Sequence, residues 1–213
     1  MNLFGLLQAR AEAGQPVRAG LIGAGKFGSM FLNQVPFTSG LSVPVIADLS
    51  PDAARAACRR TGWDDARLAD TRFTDAGADL IADPSVEVVI EATGNPAAGL
   101  AHALLALEHG KHIIMVNVEA DVLAGPLLAA RFRAAGLVYS MAYGDQPALT
   151  SELVDWTRAA GFTVAAAGKG TKYLPDYHWV TPDDVWSHYG LSADEAAAAG
   201  MNSQMFNSFL DGT

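Results

Sequence analysis

The chain has 213 residues, half of them apolar and 17% charged, with a net charge of −9. It is long enough for one large domain, or one domain and part of a second, and apolar enough to exclude a disordered chain. The acidic balance argues against nucleic acid as a partner, because neutralising phosphates takes clustered Lys and Arg. Cys58 is the single cysteine, so no intrachain disulfide forms, and a reducing, cytoplasmic setting is expected.

Residues 1–10 carry apolar positions near helical spacing. They lack a basic segment ahead of the apolar part and are too short to cross a bilayer, so they read as a helix packed on the fold, with no membrane partner. An apolar run, 17–22, predicts the first strand and leads directly into Gly23-Ala24-Gly25-Lys26-Phe27-Gly28. A helix is expected over 26–35. This order of strand, G-x-G-x-x-G and helix is the pattern of a dinucleotide pyrophosphate site. Gly23 permits the tight turn, Gly25 lets the backbone approach the pyrophosphate, and Gly28 lets the helix pack close to the strand. The helix N-terminus offers N–H groups and partial positive charge to the phosphates. Lys26 and Phe27 stand in the same loop and join the candidate cofactor-binding residues. The competing reading is a glycine turn in an α/β protein that holds no nucleotide.

A second strand is expected over 41–47 and ends at Asp48, about twenty positions past Gly28, where an acidic residue meets the ribose hydroxyls of the adenosine half. Asp48 also has the chemistry of a cap for the next helix, 51–61, which Ser50 and Pro51 open. Further along, strands are expected over 86–91, 111–116 and 137–140. A short helix near 76–82 and longer ones over 97–109 and 121–135 alternate with them. Gly110 and Gly136 sit just past the ends of the last two helices. The alternation predicts a doubly wound, mainly parallel sheet covered on both faces, forming one domain over 1–143.

Ligands of such sheets bind beyond the carboxyl ends of the strands, which directs attention to the residues after each one. Thr93, Gly94 and Asn95 follow the 86–91 strand and offer a hydroxyl, a flexible backbone and an amide to the nicotinamide half. They equally suit a turn into the next helix. Asn117, Glu119 and Asp121 follow the 111–116 strand, and would share one side if the strand persisted. They are candidates for binding substrate, moving a proton or holding a metal, or, for the two acids, simply favouring a helix start. Asp145 follows the last strand as another strand-end carboxylate, or as the N-cap of the next helix. The histidines show no metal-ligand spacing. His102 and His109 read as surface or helix-end positions, and a divalent metal has no support.

From 144 to 213 the texture changes. A helix is expected over 146–160, burying Leu149, Leu153, Val154 and Trp156, and a strand over 162–167. Thr181-Pro182-Asp183-Asp184 and Ser192-Ala193-Asp194-Glu195 read as capped helix starts. The chain stops in an apolar-rich segment, so this second, α+β domain is expected to be cut short. Gly168-Lys169-Gly170-Thr171-Lys172 holds two of the chain's four lysines. Lys169 and Lys172 there suit a substrate phosphate or carboxylate, or a carbonyl being reduced, unless the loop is merely solvated.

Taken together, residues 23–28, Glu91-Ala92-Thr93-Gly94 and Gly110-Lys111-His112 resemble the nucleotide-binding domain of the aspartate and homoserine dehydrogenase group. Residues 115–121, Gly144-Asp145-Gln146-Pro147 and Ala167-Gly168-Lys169-Gly170 resemble the deoxyxylulose-phosphate reductoisomerase-like (DRL) oxidoreductases. The resemblance implies a Rossmann-type domain holding NADP or NAD, with substrate held between it and a catalytic domain. It further implies reduction, with or without isomerisation, of a small polar carbonyl compound such as deoxyxylulose phosphate. Lys169 would stabilise the developing alkoxide, Glu119 would serve as acid/base or substrate ligand, and Lys172 would hold an anionic group. Asp48 favours NAD by repelling a 2′-phosphate, whereas the family favours NADP. Arg55, Arg59 and Arg60 offset that repulsion only if one swings back. The aromatic stretch 171–179 departs from the family pattern, and Asn117-Val118-Glu119-Ala120 replaces the lysine-bearing stretch of homoserine dehydrogenases. A sugar, sugar-acid or homoserine-type dehydrogenase is therefore the alternative enzyme. An NAD(P)-responsive binding protein without catalysis is the alternative of another class. The oligomeric state stays open, with a homodimer common for such folds.

Overall fold

The computed structural model describes residues 2–142, 146–168, 174–198 and 200–211. It divides into two compact units, Met1–Ala148 and Leu149–Thr213.

The first unit is a six-stranded sheet in the order β3-β2-β1-β4-β5-β6, with every pairing parallel. In chain order its elements are α1 (Leu3–Glu12), β1 (Val17–Ile22), α2 (Lys26–Gln34), β2 (Leu41–Ala47), α3 (Pro51–Arg60), α4 (Asp65–Ala69), β3 (Arg72–Thr74), α5 (Gly77–Ala82), β4 (Val88–Glu91), α6 (Pro96–Glu108), β5 (His112–Met115), α7 (Val118–Ala134) and β6 (Tyr139–Met141). The doubly wound expectation holds. The strand order reverses on either side of β1, so a crevice opens at the carboxyl ends of β1 and β4.

Local chemistry explains where the elements start. Asn2, Ser50, Asp64, Asn95 and Asn117 each cap a helix, their side-chain oxygens accepting an N–H from the first turn. Pro44 lies inside β2, and the register between β1 and β2 shifts between Arg18 and Gly20. A bulge there accommodates a residue with no N–H to donate.

Alternation along the strands feeds two cores. Ile22, Val89, Ile113 and Met115 face one core with Leu80, Ala103, Leu128 and Phe132 of the helices. Leu21, Ile46 and Ile90 face the other with Leu32, Ala54 and Trp63. Both faces of the sheet are therefore dry, as a parallel sheet requires.

Several expectations are corrected. The 121–135 helix begins earlier, at Val118, because Asn117 caps it. That ends the strand at Met115 and cancels the alternation that would have aligned Asn117, Glu119 and Asp121. Strand β3 and helix α4 were not expected, being too short to show a period. Helix α8 (Gln146–Ala159), which starts in the first unit and continues into the second, forms as expected, but Leu149, Leu153 and Trp156 are exposed. The core of the second unit is built by Val180, Val185, Trp186 and Ala196, with Tyr177 and Phe206 packed against them. The expected strand over 162–167 has no regular structure, since among the described residues no strand lies beside it to complete a ladder. A 3-10 turn (Pro175–Trp179) and helices α9 (Val185–His188), α10 (Ala193–Ala198) and α11 (Ser203–Asp211) follow. Of the two capping expectations the one at Ser192 holds, whereas α9 begins only at Val185, behind Asp184, whose side chain makes no cap hydrogen bond. Ser192 and Glu195 form a reciprocal box, each side chain accepting the other's backbone N–H. Asp184 accepts from both the backbone N–H and the hydroxyl of Thr181. These hydrogen bonds hold the Asp184 and Glu195 carboxyls below their ordinary range.

Candidate dinucleotide and substrate site

The glycine turn joins β1 to α2 at the centre of the sheet. Gly23 has φ of +95°, and a Cβ there would lie 2.7 Å from the carbonyl oxygen of Ala92 on the neighbouring β4–α6 loop. At Gly28 a Cβ would overlap the Gly23 carbonyl oxygen, so α2 packs directly on the turn. Gly25 caps α2 and, among the described residues, has no atom within 4 Å of a built Cβ. One glycine thus closes the turn, one admits the helix, and one leaves a vacant approach above the first N–H groups of α2. No acid lies in the first turn of α2, and Lys26 stands at its first position. A dinucleotide's pyrophosphate fits this cradle in shape and in charge.

Asp48 sits just past β2 and accepts the Ala24 N–H at 2.8 Å and the Ser50 N–H at 3.0 Å. It braces the glycine turn, and Ser50 rather than Asp48 caps α3. Arg55 lies over the Phe73 ring, 4.3 Å from its centre.

At the carboxyl end of β4 is a buried polar network that sequence reasoning missed. Glu91 is fully buried. Its Oε1 accepts the Thr93 hydroxyl at 2.6 Å and lies 3.2 Å from His102 Nδ1, which donates when it carries the ring proton. Oε2 is buried and has no hydrogen-bond partner among the described residues. A buried oxygen left in this condition costs about 1–3 kcal/mol. The Thr93 oxygen in turn accepts the Asn95 N–H at 3.3 Å and Asn117 Nδ2 at 3.4 Å. Asn117 is buried, donates to the Asn95 carbonyl at 2.8 Å and caps α7 through Ala120 N–H. Thr93 is itself exposed, with its hydroxyl proton directed inward to Glu91. One correction follows: His102 lies in the middle of α6 as the partner of a buried acid, not as a surface residue. The pairing was hidden because its members are eleven positions apart on different elements.

Gly94 has φ of +67° and also faces open space. Glu119 is exposed on the first turn of α7, while Asp121 accepts the Tyr139 hydroxyl at 2.8 Å. Burial, reinforced by Asp121, pushes the Tyr139 phenol far above its ordinary range. Lys169, Lys172 and Asp145 lie outside the described residues. Among the described residues, no three His, Cys, Asp or Glu side chains gather to hold a metal, and no helix is long and apolar enough to cross a membrane.

A parallel, doubly wound sheet with this glycine turn at its switch point defines a Rossmann-type dinucleotide-binding domain. The chain belongs to the family of the homoserine dehydrogenase NAD-binding domain, whose model matches residues 23–139. Residues 144–213 match the catalytic domain of oxidoreductase DRL, so its two segments together are DRL-like. It is 34% identical over 146 residues to 1-deoxy-D-xylulose 5-phosphate reductoisomerase of Paracoccus denitrificans, covering 64% of this chain and 36% of that protein. The enzyme of the same name from Jannaschia sp. is 30% identical over 158 residues, covering 67% of this chain and 40% of that one. The chain thus spans about two fifths of the length of these curated relatives. Among solved structures, a homoserine dehydrogenase from Thiobacillus denitrificans superposes with a TM-score of 0.56 at 20% identity, over 68% of this chain and 34% of that one. A myo-inositol dehydrogenase from Lactobacillus casei, in complex with NAD(H) and myo-inositol, gives 0.52 at 19%, over 67% and 42%. These two likenesses concern the fold alone.

Proposed function

We propose that this protein is an NAD(P)-dependent oxidoreductase acting on a small polar carbonyl compound, with a phosphorylated sugar such as deoxyxylulose phosphate as the first candidate substrate. The observation that carries this reading is the glycine turn, where Gly25 leaves an open approach to the start of α2 while Gly23 and Gly28 are each closed by backbone. The names of the two reductoisomerase relatives support the substrate class.

When bound, the nicotinamide supplies the hydride. The chain's part is to bind, orient and move protons. The first turn of α2 holds the pyrophosphate, and residues 93–95 border the nicotinamide half. Lys169 stabilises the alkoxide that develops as the carbonyl is reduced, and Lys172 holds the substrate's anionic group. Glu119 holds or delivers a proton from the first turn of α7, and Asp145 is the further carboxylate candidate.

Between the two cofactors NAD is the first candidate, supported by the Asp48 carboxylate, which two N–H groups hold just past β2 and whose charge would repel a 2′-phosphate on the adenosine ribose. Arg55, stacked on Phe73, is engaged elsewhere.

The test is the oxidation of NADH and NADPH by this chain, followed by nicotinamide absorbance, with deoxyxylulose phosphate, unphosphorylated deoxyxylulose and aspartate semialdehyde. Turnover with the phosphorylated sugar that falls at least about tenfold in Lys172→Ala supports the reading, tenfold corresponding to about 1.4 kcal/mol. Turnover with aspartate semialdehyde alone moves the protein to the homoserine-type alternative. Cofactor binding without any turnover favours the non-catalytic alternative.

A further inference from the structure

Glu91 is an expensive residue for this fold. It ends a strand that otherwise reads Val88-Val89-Ile90, and it shares the face of Val89, toward the core that holds Ile113, Met115 and Ala103. An apolar side chain would satisfy that position. Instead the chain buries a carboxyl group there, with one oxygen lacking a partner among the described residues. Buried polar groups left incomplete in this way are uncommon and cluster where function requires them.

The groups that reach Glu91 show what it does. Oε1 takes the only proton of the Thr93 hydroxyl, across a short 2.6 Å contact. With its proton committed, the Thr93 oxygen turns its lone pairs to Asn95 N–H and Asn117 Nδ2, and Asn117 also grips the Asn95 carbonyl. One carboxylate thereby fixes the path of residues 93–95 and ties that loop to the start of α7. His102 completes the clamp from α6, its ring lodged against α5. A Cβ at Gly77 would come within 2.5 Å of His102 Nε2, so no side chain at 77 is compatible with that ring position. On its outer side the fixed loop presents Gly94 to open space, and its first residues touch the glycine turn through Ala92 and Gly23.

We infer that Glu91, clamped by Thr93 and His102, is a positioning residue that sets residues 93–95 as the seat of the nicotinamide half of the cofactor. This rests on the dinucleotide reading above. The adenosine half, served by Asp48 and the glycine turn, does not depend on it. Damage to the clamp therefore separates the two halves of the cofactor, which a general loss of fold does not.

The experiment measures dissociation constants of NADH and NADPH by nicotinamide fluorescence, and of ADP by its competition. It uses the wild-type chain, Thr93→Val and Thr93→Ser. Thr93→Val keeps shape and removes the hydroxyl. It is expected to weaken the better-bound nicotinamide cofactor by about tenfold, as for a lost hydrogen bond to a charged group, and ADP by less than about twofold. Thr93→Ser, which restores the hydroxyl, is expected to return the affinity to within about threefold of wild type. Should Thr93→Val not fold, Glu91→Gln carries the same comparison, since it keeps the volume and replaces the carboxyl group by an amide. Equal weakening of ADP and of the nicotinamide cofactor, or no weakening of either, overturns the proposal. A wild-type chain that binds neither ADP nor a nicotinamide cofactor instead overturns the dinucleotide reading itself, and this proposal with it.

Discussion

Replacing Gly25 with alanine separates the needs of the fold from the needs of the ligand. Among the described residues a Cβ at this position meets no atom within 4 Å, and its φ of −65° is open to any residue. The sole structural penalty is a poorer N-cap for α2, about 1 kcal/mol, which lowers the melting temperature by about 2–4 °C in a chain of this size. The ligand is affected far more. The methyl group occupies the approach to the α2 N-terminus and displaces the pyrophosphate from its N–H donors. Losing one such charge-assisted contact costs about 1.5–3 kcal/mol, or about 10- to 100-fold in affinity. Paired thermal unfolding and fluorescence titration of NADH and NADPH read both effects. A Gly25→Ala protein that melts near wild type and binds the cofactor within about twofold of it refutes the assignment of the turn.

Gly28→Ala is expected to act in the opposite sense, on the fold, because its Cβ overlaps the Gly23 carbonyl; a loss of about 1–3 kcal/mol should appear in urea unfolding. Asn117→Ala removes a cap and leaves the Asn95 carbonyl without its buried donor, and should cost about 2–3 kcal/mol in the same assay. Burial pushes the Cys58 thiol from its ordinary 9.0 up to about 11, overriding the opposing pull of Arg55. The thiol should then resist Ellman's reagent near pH ~8 in the native chain and react at once in urea. Because the folded state holds this proton more tightly, its contribution to stability is intact below the ordinary value. It is lost as pH rises through about 11, by about 2–3 kcal/mol in total. Tyr139 should stay protonated through the range in which the exposed tyrosines ionise, as followed by phenolate absorbance, and Asp121→Asn should lower its titration point.

The sheet was legible because its strands are apolar runs spaced by capped helices, and because glycines mark the β1–α2 turn and the helix ends. The caps at Ser50 and Ser192 depend on neighbours three residues away, a range that sequence carries well. Elements set by long-range pairing were not legible. Strand β3 is three residues long and exists because β2 lies beside it. The 162–167 run has strand-like residues but no partner strand among the described residues, and α8 has a helical stripe that stays exposed. In the site, the glycines and Asp48 follow from a local fingerprint. The Glu91–His102 pair joins β4 to α6, and its only local signal was an acid ending an apolar strand. The alignment of Asn117 with Glu119 failed because a cap, which works over three residues, ended the strand first.

The central claim is that the turn at residues 23–28 binds a nicotinamide dinucleotide. Calorimetric titration of the wild-type chain with NADH and with NADPH tests it most directly. The account predicts one saturable site per chain, with NADH bound more tightly than NADPH because of Asp48. The absence of saturable heat with both cofactors would contradict it.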